Sequence, residues 1–217
     1  MKHRNEMKKG IIFDMDGTLW DAAEEIAKSW GDSIRTSEIT DKALTKEDMM
    51  KVMGKPMDEL MAALFPELTD TDREKLLKEC CQVENDYLRE HGAKLYEGVE
   101  EMFSTLQKDY FLAIVSNCQS GYIEAFLEHY GFGKYIDDIQ CFGMNQLPKG
   151  ENIRLVVERN HLEKAVYVGD IQGDYEASMQ AGVDFIHAAY GFGEIVEKVP
   201  RIQKLEELPQ VVAELLK

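Results

Sequence analysis

Two short apolar runs, one near the start of the chain and one in its last third, are each followed within six residues by two aspartates. Residues 10–13 (GIIF) precede Asp14 and Asp16, and residues 165–168 (AVYV) precede Asp170 and Asp174. Short apolar runs of this kind indicate strands that are buried on both faces, which is typical of a parallel sheet. The carboxyl ends of parallel strands lie along one edge, where open α/β sheets bind ligands. The sequence therefore predicts that three or four carboxylates meet at that edge.

Strand and helix patterns alternate through the second half of the chain. Further strand patterns cover residues 111–116, 139–142 and 184–189. Between them, apolar side chains recur at i, i+3, i+4 and i+7 from Val99 and from Ile123, as on one face of a helix. This alternation predicts an α/β fold, a Rossmann-like parallel sheet with helices on both faces.

The segment between the first strand and this alternating region has helical patterns and no strand pattern. Its last helix is predicted to begin with a capping box from Thr71 to Glu74, and an apolar stripe follows, formed by Leu76, Cys80, Val83 and Tyr87. We interpret the segment as an inserted α-helical cap domain. The predicted domains are an α/β core of residues 1–19 and 93–217 and a cap of residues 20–92.

Composition and charge exclude some classes of binding partner and indicate where the protein is located. The chain has 217 residues and a formal net charge of −16, which argues against nucleic acid as a partner. No apolar stretch approaches the length of a membrane span, and the basic start has too short an apolar run for a signal peptide. The four cysteines have no C-x-x-C spacing, so reduced thiols and a cytoplasmic location are expected. The oligomeric state cannot be read from the sequence.

The first acidic pair has two interpretations. A single Asp-Gly is common in turns. Two carboxylates that follow an apolar strand and point the same way favour a site for a divalent cation. Gly17 then supplies a turn, and Thr18 offers a hydroxyl and an N–H to an anion.

The second acidic pair strengthens the cation interpretation. Asp170 lies at a predicted strand end, whereas Asp174 begins a helix and could equally be its N-terminal cap. Hard oxygen ligands in this number suit Mg²⁺.

Two further strand ends carry polar groups. Ser116 ends the strand at 111–116 and Asn117 follows it, and both side chains can bind phosphoryl oxygens. Lys149 precedes a helix, where a cation is unfavourable unless an anion shares the site, although a lone lysine is more often a surface charge.

Together these motifs resemble the haloacid dehalogenase (HAD) superfamily in its phosphatase branch. They occur in the family's order, as DMDGT from Asp14, VSN ending at Ser116 and Asn117, Lys149, and GDIQGD from Gly169. The helical block matches the cap of the phosphoglycolate-phosphatase and β-phosphoglucomutase-like branch.

The resemblance implies a mechanism and a role for each residue. Asp14 would be the nucleophile that forms an aspartyl-phosphate, and Asp16 the general acid and base. Mg²⁺ would be held by the Asp14 and Asp170 carboxylates and the Asp16 main-chain carbonyl. Asp174 would not bind the metal directly; it would hold the residues that do, or orient Lys149. The groups expected to bind the phosphoryl oxygens are those of Thr18, Ser116, Asn117 and Lys149.

The expected substrate is a small phosphorylated metabolite, either a phosphoglycolate-like phospho-acid or a sugar phosphate. A phosphomutase of the β-phosphoglucomutase kind would carry the same core motifs, and a non-catalytic, metabolite-sensing HAD protein is the alternative outside catalysis. In the cap, Gly54, Lys55 and Pro56 resemble a turn of phosphoglycolate-phosphatase-like enzymes. Lys55 could reach an anionic substrate or be an ordinary surface charge.

Overall fold

A computed structural model describes residues 8–217 of the chain. Eight strands are present among these residues: β1 (Lys9–Phe13), β2 (Trp20–Asp21), β3 (Lys94–Leu95), β4 (Phe111–Ser116), β5 (Asp138–Cys141), β6 (Lys164–Gly169), β7 (Asp184–Ala188) and β8 (Arg201–Ile202). Six of them form one parallel sheet in the order β5-β4-β1-β6-β7-β8. The strand β1, which precedes Asp14, therefore lies between β4 and β6 in the middle of the sheet.

Apolar side chains cover the sheet on both faces. In β1, Ile11 and Phe13 contribute to one hydrophobic cluster and Ile12 to the other, because successive side chains of a strand point to opposite faces. Helices of the core flank the sheet: α5 (Val99–Leu106), α6 (Tyr122–Tyr130), the short α7 (Phe142–Asn145), α8 (Lys149–Arg159), α9 (Gln172–Ala181) and α10 (Leu208–Leu215). The parallel α/β prediction is confirmed.

A block of four helices is inserted between β2 and β3. Its helices are α1 (Ala23–Ser37), α2 (Lys46–Met50), α3 (Met57–Leu64) and α4 (Asp70–His91). The inserted helical block is thus present, as the sequence predicts, and it is called the cap below. The boundaries 1–19, 20–92 and 93–217 remain a prediction, and residues 1–7 of the first segment lie outside the described residues.

A two-stranded ribbon joins the block to the core. The strands β2 and β3 pair antiparallel, with Trp20 opposite Leu95 and Asp21 opposite Lys94. The two chain crossings therefore lie side by side. This ribbon and the edge strand β8 were not predicted from the sequence, because a two-residue strand is too short to show a period. Phe142, predicted to end a strand, instead begins α7.

The start of α4 was predicted two residues too late. The Thr69 side chain accepts a hydrogen bond from the Asp72 backbone N–H at 3.2 Å, so Thr69 is the N-cap and the helix begins at Asp70. The predicted stripe is also wrong at its end. Val83 is exposed and Tyr87 is only half-buried, whereas the polar residues Glu84 and Asn85 are buried.

No helix in the part of the chain that the structure describes has both the length and the apolar character needed to cross a bilayer. All four cysteines are free thiols, and three of them are buried.

Candidate active site

The carboxyl ends of β1 and β6 bring the two acidic motifs together. Phe13 is opposite Val168 in the sheet, and the Asp14 N–H donates to the Val168 carbonyl at 2.9 Å. This pairing brings Asp14 and Asp170, the residues after the two strands, to the same edge. One carboxylate oxygen each of Asp14, Asp170 and Asp174 lies within 4.8 Å of the others, and all three residues are buried.

Lys149 lies between two of these carboxylates. Its Nζ donates to Asp14 Oδ1 at 2.9 Å and to Asp174 Oδ1 at 2.6 Å, and the residue is only 5% exposed. Burial by itself would lower the pKa of Lys149, but the charges of Asp14 and Asp174 outweigh it and raise that pKa above its usual value. Lys149 is the first residue of α8, and the two carboxylates offset the cost of a cation there.

Asp174 contacts both the start of α9 and Lys149; Ile171 is the N-cap residue of α9, and Asp174, three residues later, completes the capping box from the first turn. Its Oδ2 accepts hydrogen bonds from the backbone N–H groups of Asp170 and Ile171, at 3.0 and 3.2 Å, at the start of α9. Its Oδ1 accepts from Lys149. One carboxylate therefore binds N–H groups at the start of the helix and orients the lysine.

Glycines make room for the Asp170 carboxylate. A β-carbon at Gly17, where φ is +83°, would lie 2.1 Å from Asp170 Oδ2. A β-carbon at Gly191 would lie 2.4 Å from Asp170 Cβ and 2.4 Å from the Gly17 carbonyl oxygen. The carboxylate itself is held by hydrogen bonds from the Phe192 N–H at 2.7 Å and from the Thr18 hydroxyl at 3.4 Å. The Thr18 hydroxyl is thus turned toward Asp170.

The cluster has more acidic than basic groups. Burial and the charge of Asp174 raise the pKa of Asp14 to about 6, against the opposing effect of Lys149. Burial, together with Asp174 and Asp14, raises the pKa of Asp170 well above its usual value. Three buried carboxyl groups that face a single ammonium fit a divalent cation, which would neutralise the surplus negative charge with hard oxygen ligands.

Asp16 faces a pocket beside this cluster. Its Oδ1 accepts a hydrogen bond from the Tyr122 hydroxyl at 2.7 Å. Burial raises the pKa of Asp16 well above its usual value, whereas the Tyr122 hydrogen bond acts in the opposite direction. A carboxyl group in these surroundings takes up a proton more readily than an exposed aspartate does.

The pocket lies between the core and the cap. Asp16, Ser116 and Asn117 line it from the core. The Asn117 amide donates to the carbonyl of Gly54 in the cap at 2.8 Å, and its Oδ1 is buried with no hydrogen-bond partner among residues 8–217. The predicted Ser116 and Asn117 therefore lie on the pocket, and the cap closes over them at Gly54.

The family model for "haloacid dehalogenase-like hydrolase" matches residues 11–188, which span β1 to β7 and include the whole acidic cluster. The chain belongs to this family. The resemblance predicted from the motifs is confirmed, and with it the assignment of the chain as a HAD-type phosphatase.

The relatives of this HAD-like hydrolase include phosphoglycolate phosphatase from Escherichia coli O157:H7, which is 24% identical over 87% of this chain and 85% of its own. A predicted phosphatase from Clostridium acetobutylicum has the same fold, with a TM-score of 0.78 and 23% identity over 97% of this chain and 100% of its own. A variant of CbbY from Rhodobacter sphaeroides, in complex with xylulose-(1,5)bisphosphate, has a TM-score of 0.80 and 16% identity over 94% and 96% of the two chains.

Several residues of the HAD site were not found from the sequence. Tyr122 contacts Asp16 across 106 positions of the chain, and Phe192 contacts Asp170 across 22. No local pattern links such pairs. Glu84 also lines the pocket, and here a signal existed. It lies four residues after Cys80 and four before Leu88, both buried on the inner face of α4.

Proposed function

We propose that this chain is a Mg²⁺-dependent phosphatase that hydrolyses a small phosphorylated metabolite through an aspartyl-phosphate on Asp14. The observation that carries the proposal is the buried group of Asp14, Asp170 and Asp174 with Lys149 between two of them, next to a pocket that contains Asp16. This arrangement supplies a nucleophile, a cation site and a proton donor within one small volume.

The metal would be held by the carboxylates of Asp14 and Asp170 and by the main-chain carbonyl of Asp16. The excess of buried negative charge supports this assignment. When bound, Mg²⁺ neutralises part of the charge on the phosphoryl oxygens and on the attacking carboxylate. Asp174, which already accepts two backbone N–H groups and Lys149, is assigned to the support of these residues.

The covalent steps use two carboxyl groups. A carboxylate oxygen of Asp14 attacks phosphorus, and the bond from phosphorus to the ester oxygen breaks. Asp16 gives its proton to that departing oxygen, so the alcohol leaves neutral. Asp16 then takes a proton from water, which attacks the phosphorus of the aspartyl-phosphate and releases inorganic phosphate and the Asp14 carboxylate. The Tyr122 hydroxyl orients Asp16 for both transfers.

Donors beside the cluster would stabilise the phosphoryl group during transfer. Lys149 supplies a buried positive charge, and Ser116 and Asn117 offer a hydroxyl and an amide at the end of β4. Both donors of Thr18 have partners in this structure, its hydroxyl with Asp170 and its backbone N–H with the Met15 carbonyl at 3.1 Å, so its proposed contact with the phosphoryl group requires one of them to change partner. Fixed donors of this kind act on charge that develops at the equatorial oxygens.

The substrate class is a small phosphate monoester, either a phospho-acid or a sugar phosphate. The phosphoglycolate phosphatase relatives support the first kind of substrate, and the xylulose-(1,5)bisphosphate complex of the CbbY variant supports the second.

The test is the release of inorganic phosphate from a panel of phosphorylated acids and sugars, with Mg²⁺ or with EDTA. We expect wild-type release that depends on the metal and falls about a thousandfold or more in Asp14→Asn. Asp184→Asn is the matched control, since Asp184 is exposed at the opposite, amino-terminal end of β7. Equal release by wild type and Asp14→Asn would rule out the aspartyl-phosphate route. Phosphate transfer between sugar positions without net release would indicate the mutase.

A further inference from the structure

The pocket beside Asp16 contains a second buried acid that the proposed chemistry does not use. Glu84 lies in the middle of α4, is 2% exposed and lines the same pocket as Asp16. Glutamate is rarely buried to this extent unless it is paired or hydrogen-bonded. Among the described residues, no lysine or arginine forms a salt bridge with Glu84. Its carboxylate accepts hydrogen bonds from neutral groups.

Both carboxylate oxygens of Glu84 accept hydrogen bonds from N–H donors. Trp30 Nε1 in α1 donates to Oε2, and Gln119 Nε2 in the core donates to Oε1 at 2.9 Å. The same Gln119 nitrogen donates to Asn85 Oδ1 at 3.0 Å, which fixes the orientation of the amide. Burial raises the pKa of Glu84 to about 7, and the two donors act against that rise. Each oxygen thus meets a donor that favours the ionised acid.

The rest of the pocket wall on the cap side is largely apolar. The other cap side chains that line it include those of Ile26, Trp30, Met49, Met53, Met57 and Leu60. Lys55 is the one basic residue among those that line this pocket, and it is exposed. Of the charged residues that line the pocket, Asp16 and Glu84 are thus acidic, and the basic one, Lys55, is exposed to solvent.

Position makes this acid relevant to specificity. Asp16 is the proposed proton donor to the departing alcohol, so that alcohol occupies the pocket that Asp16 and Glu84 share. A carboxylate on the alcohol would be placed near a second negative charge in a water-poor site, where repulsion is strong. A hydroxyl or an ammonium group could instead donate a hydrogen bond to the remaining acceptor capacity of Glu84.

We propose that Glu84 selects the leaving alcohol: the enzyme takes phosphate esters whose alcohol bears a hydroxyl or an ammonium group and discriminates against those that bear a carboxylate. This inference rests on the proposed phosphatase function. It separates the two substrate kinds left open above, and favours polyol, sugar or amino-alcohol phosphates over phospho-acids.

Three esters of nearly equal size test it: 2-hydroxyethyl phosphate, O-phosphoethanolamine and phosphoglycolate. For the wild type, we expect kcat/KM for the first two to exceed that for phosphoglycolate by about tenfold or more, as like-charge repulsion of one buried pair predicts. In Glu84→Gln the ratios should fall to within about threefold, because the side chain keeps its size and loses its charge.

Trp30→Phe gives a graded comparison. It removes a donor that favours ionised Glu84, so the preference against phosphoglycolate at neutral pH should shrink toward that of Glu84→Gln without vanishing. Should Glu84→Gln not fold, Glu84→Met combined with Trp30→Phe removes the charge and the unpaired donor at once. A wild type that prefers phosphoglycolate, or charge-free variants that keep the wild-type ratios, would overturn the inference.

Calorimetric binding of the same esters to Asp14→Asn separates this inference from the proposed function. If the wild type hydrolyses the esters and prefers phosphoglycolate, the phosphatase function is supported and the proposed role of Glu84 is wrong. If the esters bind in the predicted order but the wild type releases no phosphate, the proposed hydrolysis is wrong and selection by Glu84 is supported. If the three esters bind equally, selection by Glu84 is wrong whatever the turnover.

Discussion

At the scale of single residues, the placement of Asp170 depends on the absence of side chains around it. Gly17 and Gly191 approach so closely that a methyl group on either would overlap the carboxylate or its Cβ. At Gly191 the methyl would also meet a backbone oxygen, that of Gly17, which cannot turn aside as a flexible side chain does. The position of the proposed metal ligand is therefore sensitive to a change that alters no polar group.

We expect Gly191→Ala to displace Asp170 and to weaken Mg²⁺ binding by about tenfold to a hundredfold, the usual cost of disturbing the support of a metal ligand. The free energy of unfolding should fall by about 1–3 kcal/mol, as for an overpacked core. The measurement is the rise in melting temperature as Mg²⁺ is added. Gly133→Ala is the control, since nothing lies within 4 Å of its added carbon. Identical Mg²⁺ midpoints for wild type and Gly191→Ala would contradict the steric argument.

At the scale of secondary-structure elements, α4 links three features of the molecule. Its first turn is capped by Thr69, its middle buries Glu84 and Asn85 against the core, and its end leads into the ribbon through Gly92. A shift of this helix by one residue would turn Glu84 out of the pocket, because neighbouring residues lie about 100° apart around a helix. The N-cap residue Thr69 therefore helps to fix the position of α4 and, with it, the pocket wall.

Replacement of Thr69 by Ala should lower the free energy of unfolding by about 1 kcal/mol, because the Asp72 N–H loses its side-chain acceptor. Thr71→Ala, two residues later, should change it by no more than a few tenths of a kcal/mol or stabilise slightly, since alanine is the better helix former. Urea denaturation of the two variants makes the comparison. A larger decrease in the free energy of unfolding for Thr71→Ala than for Thr69→Ala would instead support Thr71 as the N-cap, as the sequence predicted.

At the scale of the whole molecule, the cap and the core meet over the pocket. The Asn85 amide donates to the Ser120 carbonyl at 2.9 Å, and Arg89 Nε contacts Glu128 Oε2 at 2.5 Å. Gly54 approaches the core so closely that a β-carbon there would lie 2.4 Å from Ile171 Cδ1. A substrate must pass between these surfaces, so we expect the cap to open and close about the ribbon.

Small-angle scattering tests this motion. With Mg²⁺ and orthovanadate, a phosphate mimic, the radius of gyration should decrease toward about 17 Å, the value for a compact chain of this length. Without them it should be larger, and EDTA in the presence of vanadate should restore the larger value. An unchanged radius in all three conditions would contradict a moving cap.

The amino-acid sequence by itself determined the parallel sheet, the inserted helical block and the family. Apolar runs such as residues 10–13 and 165–168 are buried on both faces of the sheet, so their composition reports their environment directly. The convergence of Asp14 and Asp170 could be predicted because strand ends in a parallel sheet share an edge, whereas the place of Lys149 beside them followed from the family resemblance. The roles assigned to these residues, and to Asp16, Thr18, Ser116 and Asn117, stay predictions.

Only the tertiary structure decided which groups surround these residues. The contacts of Tyr122 with Asp16, Phe192 with Asp170, and Trp30 with Glu84 join residues 106, 22 and 54 positions apart. Such pairs form because separate elements pack against each other, and no periodicity within one element records them. From sequence alone, a charged residue is predicted to be exposed to solvent, because burial of an unpaired charge costs free energy. Glu84 is buried because Trp30 and Gln119, from two other elements, satisfy its oxygens.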